Sequence, residues 1–250
     1  IAASKKLAER LNIPLPQSQK EKDEDPRDVL LRINSYTQWF FHNELSKAKV
    51  ALDYINKRGL TAETVERYAL GYAPDSFEAL LNYLSQKNVP LDFAVKLGVV
   101  KKRDSGGHYD FFRDRLMFPI RNARGQFVGF SGRTLSTKDE AKYINSAESS
   151  VYNKGREAYG LFEAKEAIKK LGQVVLVEGN VDVLACSQLG VQNVVAPLGT
   201  SLTEAQVKLL KRYASDLVLM FDGDDAGQKA ALRAVEICFA ADCHPRVVIL

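Results

Sequence analysis

Two stretches decide the fold of this chain, VVLVEGNVD at residues 174–182 and LVLMFDGDDAG at residues 217–227. Each begins with a short apolar run, which is typical of a buried strand in a parallel sheet. Each run is followed at once by a carboxylate, Glu178 in the first stretch and Asp222 in the second. Because parallel strands present their carboxyl ends at one edge of a sheet, we expect these two side chains to lie close together.

Two further carboxylates extend this predicted edge. Asn180 is expected to cap the helix after the first strand, which places Asp182 in the first turn, where the helix dipole favours negative charge. Asp224 follows Asp222 by two residues, so both carboxylates point the same way if the strand continues between them.

Carboxylates gathered at one edge repel one another unless a cation neutralises them. Ligands that are all oxygen suit Mg²⁺ or Mn²⁺. The predicted metal ligands are Glu178, Asp182, Asp222 and Asp224. The alternative is that DGD at 222–224 is only an acidic turn after a core strand, but the pairing of two such stretches favours a metal site.

The paired stretches resemble the Toprim fold, which bacterial primases, topoisomerases and some nucleases share. Within that fold, DGDDAG at 222–227 and APLGTS at 196–201 are most similar to the primase versions. Upstream motifs run in the order seen in DnaG-type bacterial primases. These are FRDRLMFPI (112–120), GQFVGFSGR (125–133), KYINS (142–146), YNKG (152–155) and YGL (159–161). The resemblance covers roughly residues 28–250.

The resemblance implies an α/β protein in which an α+β N-terminal subdomain is followed by a Toprim subdomain with a mostly parallel central sheet. The expected domains are a polar linker at 1–27, a basic subdomain at 28–170 and the Toprim subdomain at 171–250. The family carries a zinc ribbon before this region, and a helicase-binding domain and a further acidic motif after it. None of these is expected within the chain, so we expect the Toprim subdomain to be C-terminally truncated.

The charge distribution suits a nucleic-acid channel beside an acidic site. Residues 101–170 carry 15 Lys and Arg against 9 Asp and Glu, whereas residues 171–250 carry 6 against 9. Residues 1–100 are nearly balanced at 14 against 13, so the net charge of +4 conceals a basic middle and an acidic end. Basic side chains that neutralise phosphates release counterions and give salt-dependent affinity. The alternative for any one of these charges is a solvated surface.

The segment from Lys142 to Asn145 combines a cation, an aromatic ring and an amide, which together can hold a nucleotide by phosphate contact and stacking. Tyr143 is equally compatible with a place in the core. By resemblance, the expected template or nucleotide contacts are Arg58, Arg133, Lys142, Tyr143, Asn145 and Lys154.

The resemblance implies a DNA primase of the primosome, a nucleotidyltransferase that joins ribonucleoside triphosphates on single-stranded DNA and yields an RNA–DNA hybrid. Glu178, Asp222 and Asp224 are its expected catalytic residues, acting with Mg²⁺ or Mn²⁺. A replicative helicase and a single-stranded DNA-binding protein are expected partners. The alternatives are another Toprim enzyme, a nuclease or topoisomerase that cleaves strands, and a nucleic-acid-binding module without catalysis.

Composition favours a cytoplasmic protein with no membrane partner. The chain is 46% hydrophobic but has no apolar run of about 18 residues. Its three cysteines show no CxxC spacing, so zinc is not expected. Apolar spacing predicts a helix over 28–57 and shorter helices over 61–68, 76–87 and 91–97.

Overall fold

The computed structural model describes residues 25–136, 141–199 and 201–250. The predicted linker, residues 1–27, therefore lies almost wholly outside the described residues. Its last two residues were wrongly assigned, because helix α1 (Pro26–Leu45) begins there. Asp25 starts the helix by accepting a hydrogen bond from the Arg27 backbone N–H at 2.8 Å. Pro26 suits the first helical position, which needs no N–H donor.

The predicted helix over 28–57 is two helices, α1 and α2 (Lys49–Lys57). Ile33 and Phe41 on α1 pack into one hydrophobic core, whereas Ala51 and Ile55 on α2 pack into another. The apolar stripe is continuous in sequence, but the chain turns after Leu45 so that its two halves serve different cores.

Short elements complete the first half of the N-terminal region. They are α3 (Ala62–Arg67), β1 (Gly71–Ala73), α4 (Ala79–Gln86), α5 (Leu91–Lys96), β2 (Val100–Lys102) and β3 (His108–Asp110). Helix α4 begins three residues after the predicted start at Ser76. The Asp110 carboxylate on β3 accepts hydrogen bonds from the N–H groups of Leu80 and Leu81, at 2.8 and 2.9 Å. A side chain distant in sequence therefore stabilises the first turn of α4.

An antiparallel sheet then positions the basic residues. Strands β4 (Arg115–Arg121), β5 (Phe127–Thr134) and β6 (Tyr143–Asn145) join β1 in the order β1-β4-β5-β6. The β5–β6 register places Arg133 opposite Tyr143. These two side chains are therefore cross-strand neighbours.

The C-terminal half is an α/β unit, as predicted. Its elements are α6 (Leu161–Leu171), β7 (Gln173–Leu176), α7 (Asn180–Gln188), β8 (Val194–Val195), α8 (Glu204–Leu210), β9 (Asp216–Phe221), α9 (Asp225–Ala240) and β10 (Arg246–Ile249). Its sheet has the order β10-β9-β7-β8, and every pair is parallel.

Strand β7 and the residue after it are covered on both faces. Val174 and Leu176 pack into a core with α8 and α9, while Val175 and Val177 pack into the core shared with α2 and β4. All four residues are buried. The apolar run therefore indicated its position correctly, since a strand covered on both faces needs no polar alternation.

Across the described ranges, no helix has both the length and the apolar composition needed to cross a bilayer. Helix α1 is 20 residues long but carries charged residues such as Arg32.

Candidate active site and nucleic-acid interface

The two carboxylate stretches meet at the edge of the parallel sheet. Strands β7 and β9 pair with Leu176 opposite Leu219, which brings the residues after both strands to the same level. The Asp222 backbone N–H donates a hydrogen bond to Glu178 Oε1 at 2.9 Å. The predicted proximity of Glu178 and Asp222 is confirmed, and this bond fixes the Glu178 carboxylate against the end of β9.

Asp182 joins them from the first turn of α7. The helix is capped at Gly179 and not at Asn180 as predicted, and Asp182 accepts a hydrogen bond from the Gly179 N–H at 3.0 Å. Burial of its carboxyl raises the pKa of Asp182, and the charges of Asp222 and Glu178 add to the rise, against the lowering effects of the Gly179 N–H and of Arg58. The carboxylates are therefore close enough to repel one another.

Asp224 has a different position from the one predicted. Strand β9 ends at Phe221, so strand alternation does not relate Asp222 to Asp224. Asp224 is instead the N-cap of α9, where its Oδ1 accepts a hydrogen bond from the Gly227 N–H at 2.7 Å. Helix capping competes with any other use of that oxygen.

One cavity of about 580 Å³ collects the carboxylates and most of the predicted basic residues. Its described lining includes Asp222 but not Asp224. The lining residues are Arg58, Ser131, Arg133, Lys142, Tyr143, Glu178, Gly179, Asn180, Val181, Asp182, Pro197, Gly199 and Asp222. We call this space the catalytic cavity. It brings four of the six predicted template or nucleotide contacts to the carboxylates.

Cations and aromatic rings alternate at the catalytic cavity, where Arg58, Arg133 and Tyr143 line the space and Tyr54, outside the lining, contacts both arginines. The Arg58 Nε donates to the Tyr54 hydroxyl at 3.0 Å, and the Arg133 guanidinium lies 4.7 Å from the centre of the same ring. Arg133 also donates to the Tyr143 hydroxyl at 3.2 Å. We call Arg58, Tyr54, Arg133 and Tyr143 the cation–aromatic row. Cation–π contact holds each guanidinium in place, and the N–H groups that do not bond to a tyrosine hydroxyl are able to bind phosphate.

Tyr143 fits both interpretations of its sequence position. Its ring packs against the central core, and it also lines the catalytic cavity. Burial raises the pKa of its hydroxyl, although Arg133 acts in the opposite direction.

Asn145 and Lys154 lie outside the cavity lining. Asn145 Nδ2 donates to the Leu198 carbonyl at 3.4 Å and so ties β6 to the loop that contains Gly199. The Lys154 side chain is exposed, and its backbone carbonyl accepts a hydrogen bond from Gln206 Nε2 at 3.0 Å. Neither geometry supports direct contact with a ligand in this cavity. Of the APLGTS loop, Thr200 alone lies outside the described residues.

Sequence reasoning missed one residue that lines the catalytic cavity, Ser131, and one that contacts two lining arginines, Tyr54. Ser131 lies two residues before Arg133 on β5, and this spacing places both on one face of the strand. Tyr54 lies four residues before Arg58, which is the spacing of neighbours on a helix. Both signals were present in the sequence.

A second basic and aromatic cavity of about 500 Å³ was not predicted as a unit. Its lining includes Phe77, Lys101, Phe111 and Arg113. The Arg113 guanidinium lies 4.4 Å from the centre of the Phe77 ring, and Lys101 Nζ lies 4.1 Å from that of Phe111. More than half of the Phe77 side chain is exposed. We call this second space the basic groove.

The donor set of the catalytic cavity fits a hard divalent cation. Within the described ranges, no group of three or more Asp, Glu, His or Cys side chains is already arranged to hold an ion. Glu178, Asp182 and Asp222 nevertheless line the same space and offer only oxygen ligands, the type preferred by Mg²⁺ and Mn²⁺. A bound cation would also relieve the repulsion that contributes to the raised pKa of Asp182.

Comparison with known proteins defines the family. A model described as the DNA primase catalytic core, N-terminal domain, matches residues 40–165, and a Toprim domain model matches residues 172–249. The DNA primase of Halalkalibacterium halodurans is 40% identical over 256 residues, which cover 100% of this chain and 43% of that relative. The chain thus spans less than half the length of the curated primases that it matches.

Solved structures agree with this assignment. The crystal structure of a DNA primase domain from Pseudomonas aeruginosa has a TM-score of 0.83 and 39% identity, covering 88% of this chain and 71% of that one. The structure of a DnaG primase catalytic domain bound to ssDNA has a TM-score of 0.81 and 35% identity, covering 90% and 74%. The N-terminal match separates the chain from Toprim nucleases and topoisomerases, and the chain belongs to the DnaG DNA primase family, spanning the N-terminal and Toprim domains of its catalytic core.

Proposed function

We propose that this chain carries the polymerising centre of a DNA primase, which joins ribonucleoside triphosphates into an RNA primer on a single-stranded DNA template. The observation that carries this function is the division of the catalytic cavity into an acidic part and a basic, aromatic part. Glu178 and Asp222 lie at the sheet edge, while Arg58, Arg133 and Lys142 line the same space. This division suits a reaction that brings phosphates to a cation held by carboxylates.

Glu178, Asp182 and Asp222 would hold the divalent ion. When bound, Mg²⁺ or Mn²⁺ stabilises charge on the transferring phosphoryl group and lowers the pKa of the attacking hydroxyl. The Asp222 N–H orients Glu178 and the Gly179 N–H orients Asp182. Both carboxylates are therefore positioned before a ligand arrives, which lowers the cost of assembling the site.

Asp224 supports this centre indirectly. Its carboxylate caps α9 and thereby holds the first turn of that helix beside Asp222. We propose a positioning role for it in this geometry, and its expected catalytic and metal-binding roles stay predictions.

The cation–aromatic row and Lys142 bind the polyanionic reactants. Arg58, Arg133 and Lys142 neutralise phosphates, and the exposed part of the Tyr143 ring offers a surface for a base. The basic groove extends this chemistry, because its alternating cations and rings suit the backbone and bases of a single strand. We propose that the template passes through this groove to the catalytic cavity.

Primer synthesis on single-stranded DNA with labelled ribonucleotides and Mg²⁺ or Mn²⁺ tests the function. The assay is run both with this chain and with the full-length protein. Glu178→Gln keeps an oxygen that accepts the Asp222 N–H bond but removes the charge, and Asp222→Asn removes the second charge. Glu204→Gln is a matched control, because Glu204 is an exposed carboxylate on α8 paired with Lys208.

RNA products that disappear in Glu178→Gln and Asp222→Asn but persist in Glu204→Gln support a metal-dependent primase. Strand cleavage in place of synthesis assigns the chain to Toprim nuclease or topoisomerase chemistry. DNA binding without product, unchanged by all three substitutions, indicates a binding module. Contacts with a replicative helicase and a single-stranded DNA-binding protein, and cytoplasmic action at the replication fork, belong to the same proposal.

A further inference from the structure

The two ends of helix α7 have different contacts. Its N-terminal turn carries Asp182 in the catalytic cavity, and its last residue, Gln188, reaches residues 58–64, which comprise the turn after α2 and the first turn of α3. Gln188 Oε1 accepts hydrogen bonds from the Thr61 N–H at 2.8 Å and from the Thr64 hydroxyl at 3.0 Å. Gln188 Nε2 donates to the Gly59 carbonyl at 2.8 Å. Both ends of the amide are thus used on one short segment.

This segment begins at Arg58, the C-cap of α2 and a member of the cation–aromatic row. Gly59, which follows it, has a φ of +67° and a carbonyl held by Gln188. The backbone that aims Arg58 into the catalytic cavity is therefore fixed to the helix that carries Asp182.

The Gln188 bonds are not needed to form the turn itself. The Gly59 N–H donates to the Asn56 carbonyl and the Leu60 N–H to the Ile55 carbonyl. Thr61 caps α3 through its own hydroxyl, which accepts a hydrogen bond from the Thr64 N–H at 3.2 Å. Since local bonds already shape the segment, the contribution of Gln188 is to set where the segment lies relative to α7.

We propose that Gln188 is a positioning residue that sets the distance between Arg58 and the carboxylates of the catalytic cavity. This role rests on the proposed function, because it gives Arg58 a phosphate of template or nucleotide to bind. Gln188 itself lies at the opposite end of α7 from Asp182 and is not among the described residues that line the catalytic cavity.

A double-mutant cycle in the full-length protein tests this role. The variants are Gln188→Met, which keeps the length of the side chain without its hydrogen bonds, Arg58→Ala and their combination. Two readouts of binding are fluorescence anisotropy with a labelled single-stranded DNA oligonucleotide and calorimetric titration with ATP. Thermal unfolding reports the fold, and Gln188→Met combined with Lys142→Ala is the matched control pair, because Lys142 belongs to a different segment.

We expect Gln188→Met to weaken, by about tenfold, binding of the same ligand whose binding Arg58→Ala weakens, while the protein stays folded at the assay temperature. Arg58→Ala should then add little to Gln188→Met, whereas Lys142→Ala should add its full effect. Gln188→Glu, which retains the oxygen that accepts from Thr61 and Thr64, should restore part of the affinity.

Independent effects of Gln188→Met and Arg58→Ala overturn the positioning role, as does an Arg58→Ala variant that binds both ligands normally. If primer synthesis is still lost in Glu178→Gln, the proposed function survives either result. If Gln188→Met lowers the unfolding temperature and weakens binding of both ligands equally in every background, its role is in the fold alone. A wild-type protein that neither binds nor polymerises overturns both proposals.

Discussion

Replacing Gly227 with alanine tests the geometry of the catalytic cavity most directly. Gly227 lies in the first turn of α9, pressed against the end of β9. A Cβ at this position would lie 2.9 Å from the Asp222 carbonyl carbon, closer still to its oxygen, and 3.0 Å from Glu178 Oε1. Ordinary contact begins at 3.4 Å. The backbone after β9 would have to retreat by at least about half an ångström, and Glu178 with it.

Two opposing effects determine the change in stability. Alanine is favoured over glycine within a helix by about 1 kcal/mol, which taken alone predicts stabilisation. Overpacking costs about 1–3 kcal/mol, and the upper end applies because a backbone carbonyl cannot rotate away. The net destabilisation is about 2 kcal/mol, which lowers the Tm of a chain of this size by roughly 4–8 °C.

Thermal and urea unfolding measure this change, and Gly155→Ala is the control. A Cβ on Gly155 meets its nearest atoms at 3.4 and 3.7 Å, so its stability should change by no more than about 0.5 kcal/mol. Primer synthesis by Gly227→Ala should fall by roughly tenfold or more, because Glu178 and Asp222 are displaced together. A Tm equal to or above that of the wild type would refute the close approach on which this reasoning depends.

Three further predictions concern the groove, a buried acid and the cap of α9. Arg113→Ala should weaken single-stranded DNA binding and reduce, by about 1, the slope of the logarithm of the binding constant against the logarithm of the salt concentration. An unchanged slope in a salt titration would show that Arg113 does not contact the template. Burial raises the pKa of Glu157 from 4.5 to about 7, so the folded state loses stability relative to the unfolded state as pH rises through that window. Glu157→Gln should therefore raise the Tm at about pH 8 and leave it nearly unchanged at about pH 4, and an equal gain at both values would contradict this cause. Asp224→Ala removes the cap of α9 and should lower the free energy of unfolding by about 1 kcal/mol, or the Tm by roughly 2–4 °C. Asp222→Asn should instead lower primer synthesis with little change in Tm. Equal Tm losses in the two variants would contradict these separate roles.

The sequence predicted that Glu178 and Asp222 meet at one sheet edge because this part of the geometry follows from one rule. Adjacent parallel strands end at the same edge, so Glu178 and Asp222 meet wherever β7 and β9 are neighbours. This rule applies only as far as the strand continues. Asp224 lies beyond the end of β9, and the start of α9 decides its orientation.

Local sequence patterns did not predict the contacts between segments that are distant in the chain. Asp110 stabilises the start of α4 from a separate strand, and Gln188 joins α7 to a turn about 130 residues earlier. A polar side chain on a helix gives no local sign of such a partner. Local pattern also does not show that the apolar stripe over 28–57 is divided between two cores. Helical spacing indicates that a residue is buried but not which core it packs into.

Strand β7 is buried on both faces, so it should open more rarely than the rest of the C-terminal half. Its amides pair with both neighbouring strands, so hydrogen exchange there should require the rarest opening events in the C-terminal half. The exposed turn at Arg58 and Gly59 should exchange much faster. Glu178 therefore follows the strand that should open least, whereas Arg58 lies on an exposed turn that depends on Gln188 for its position relative to α7.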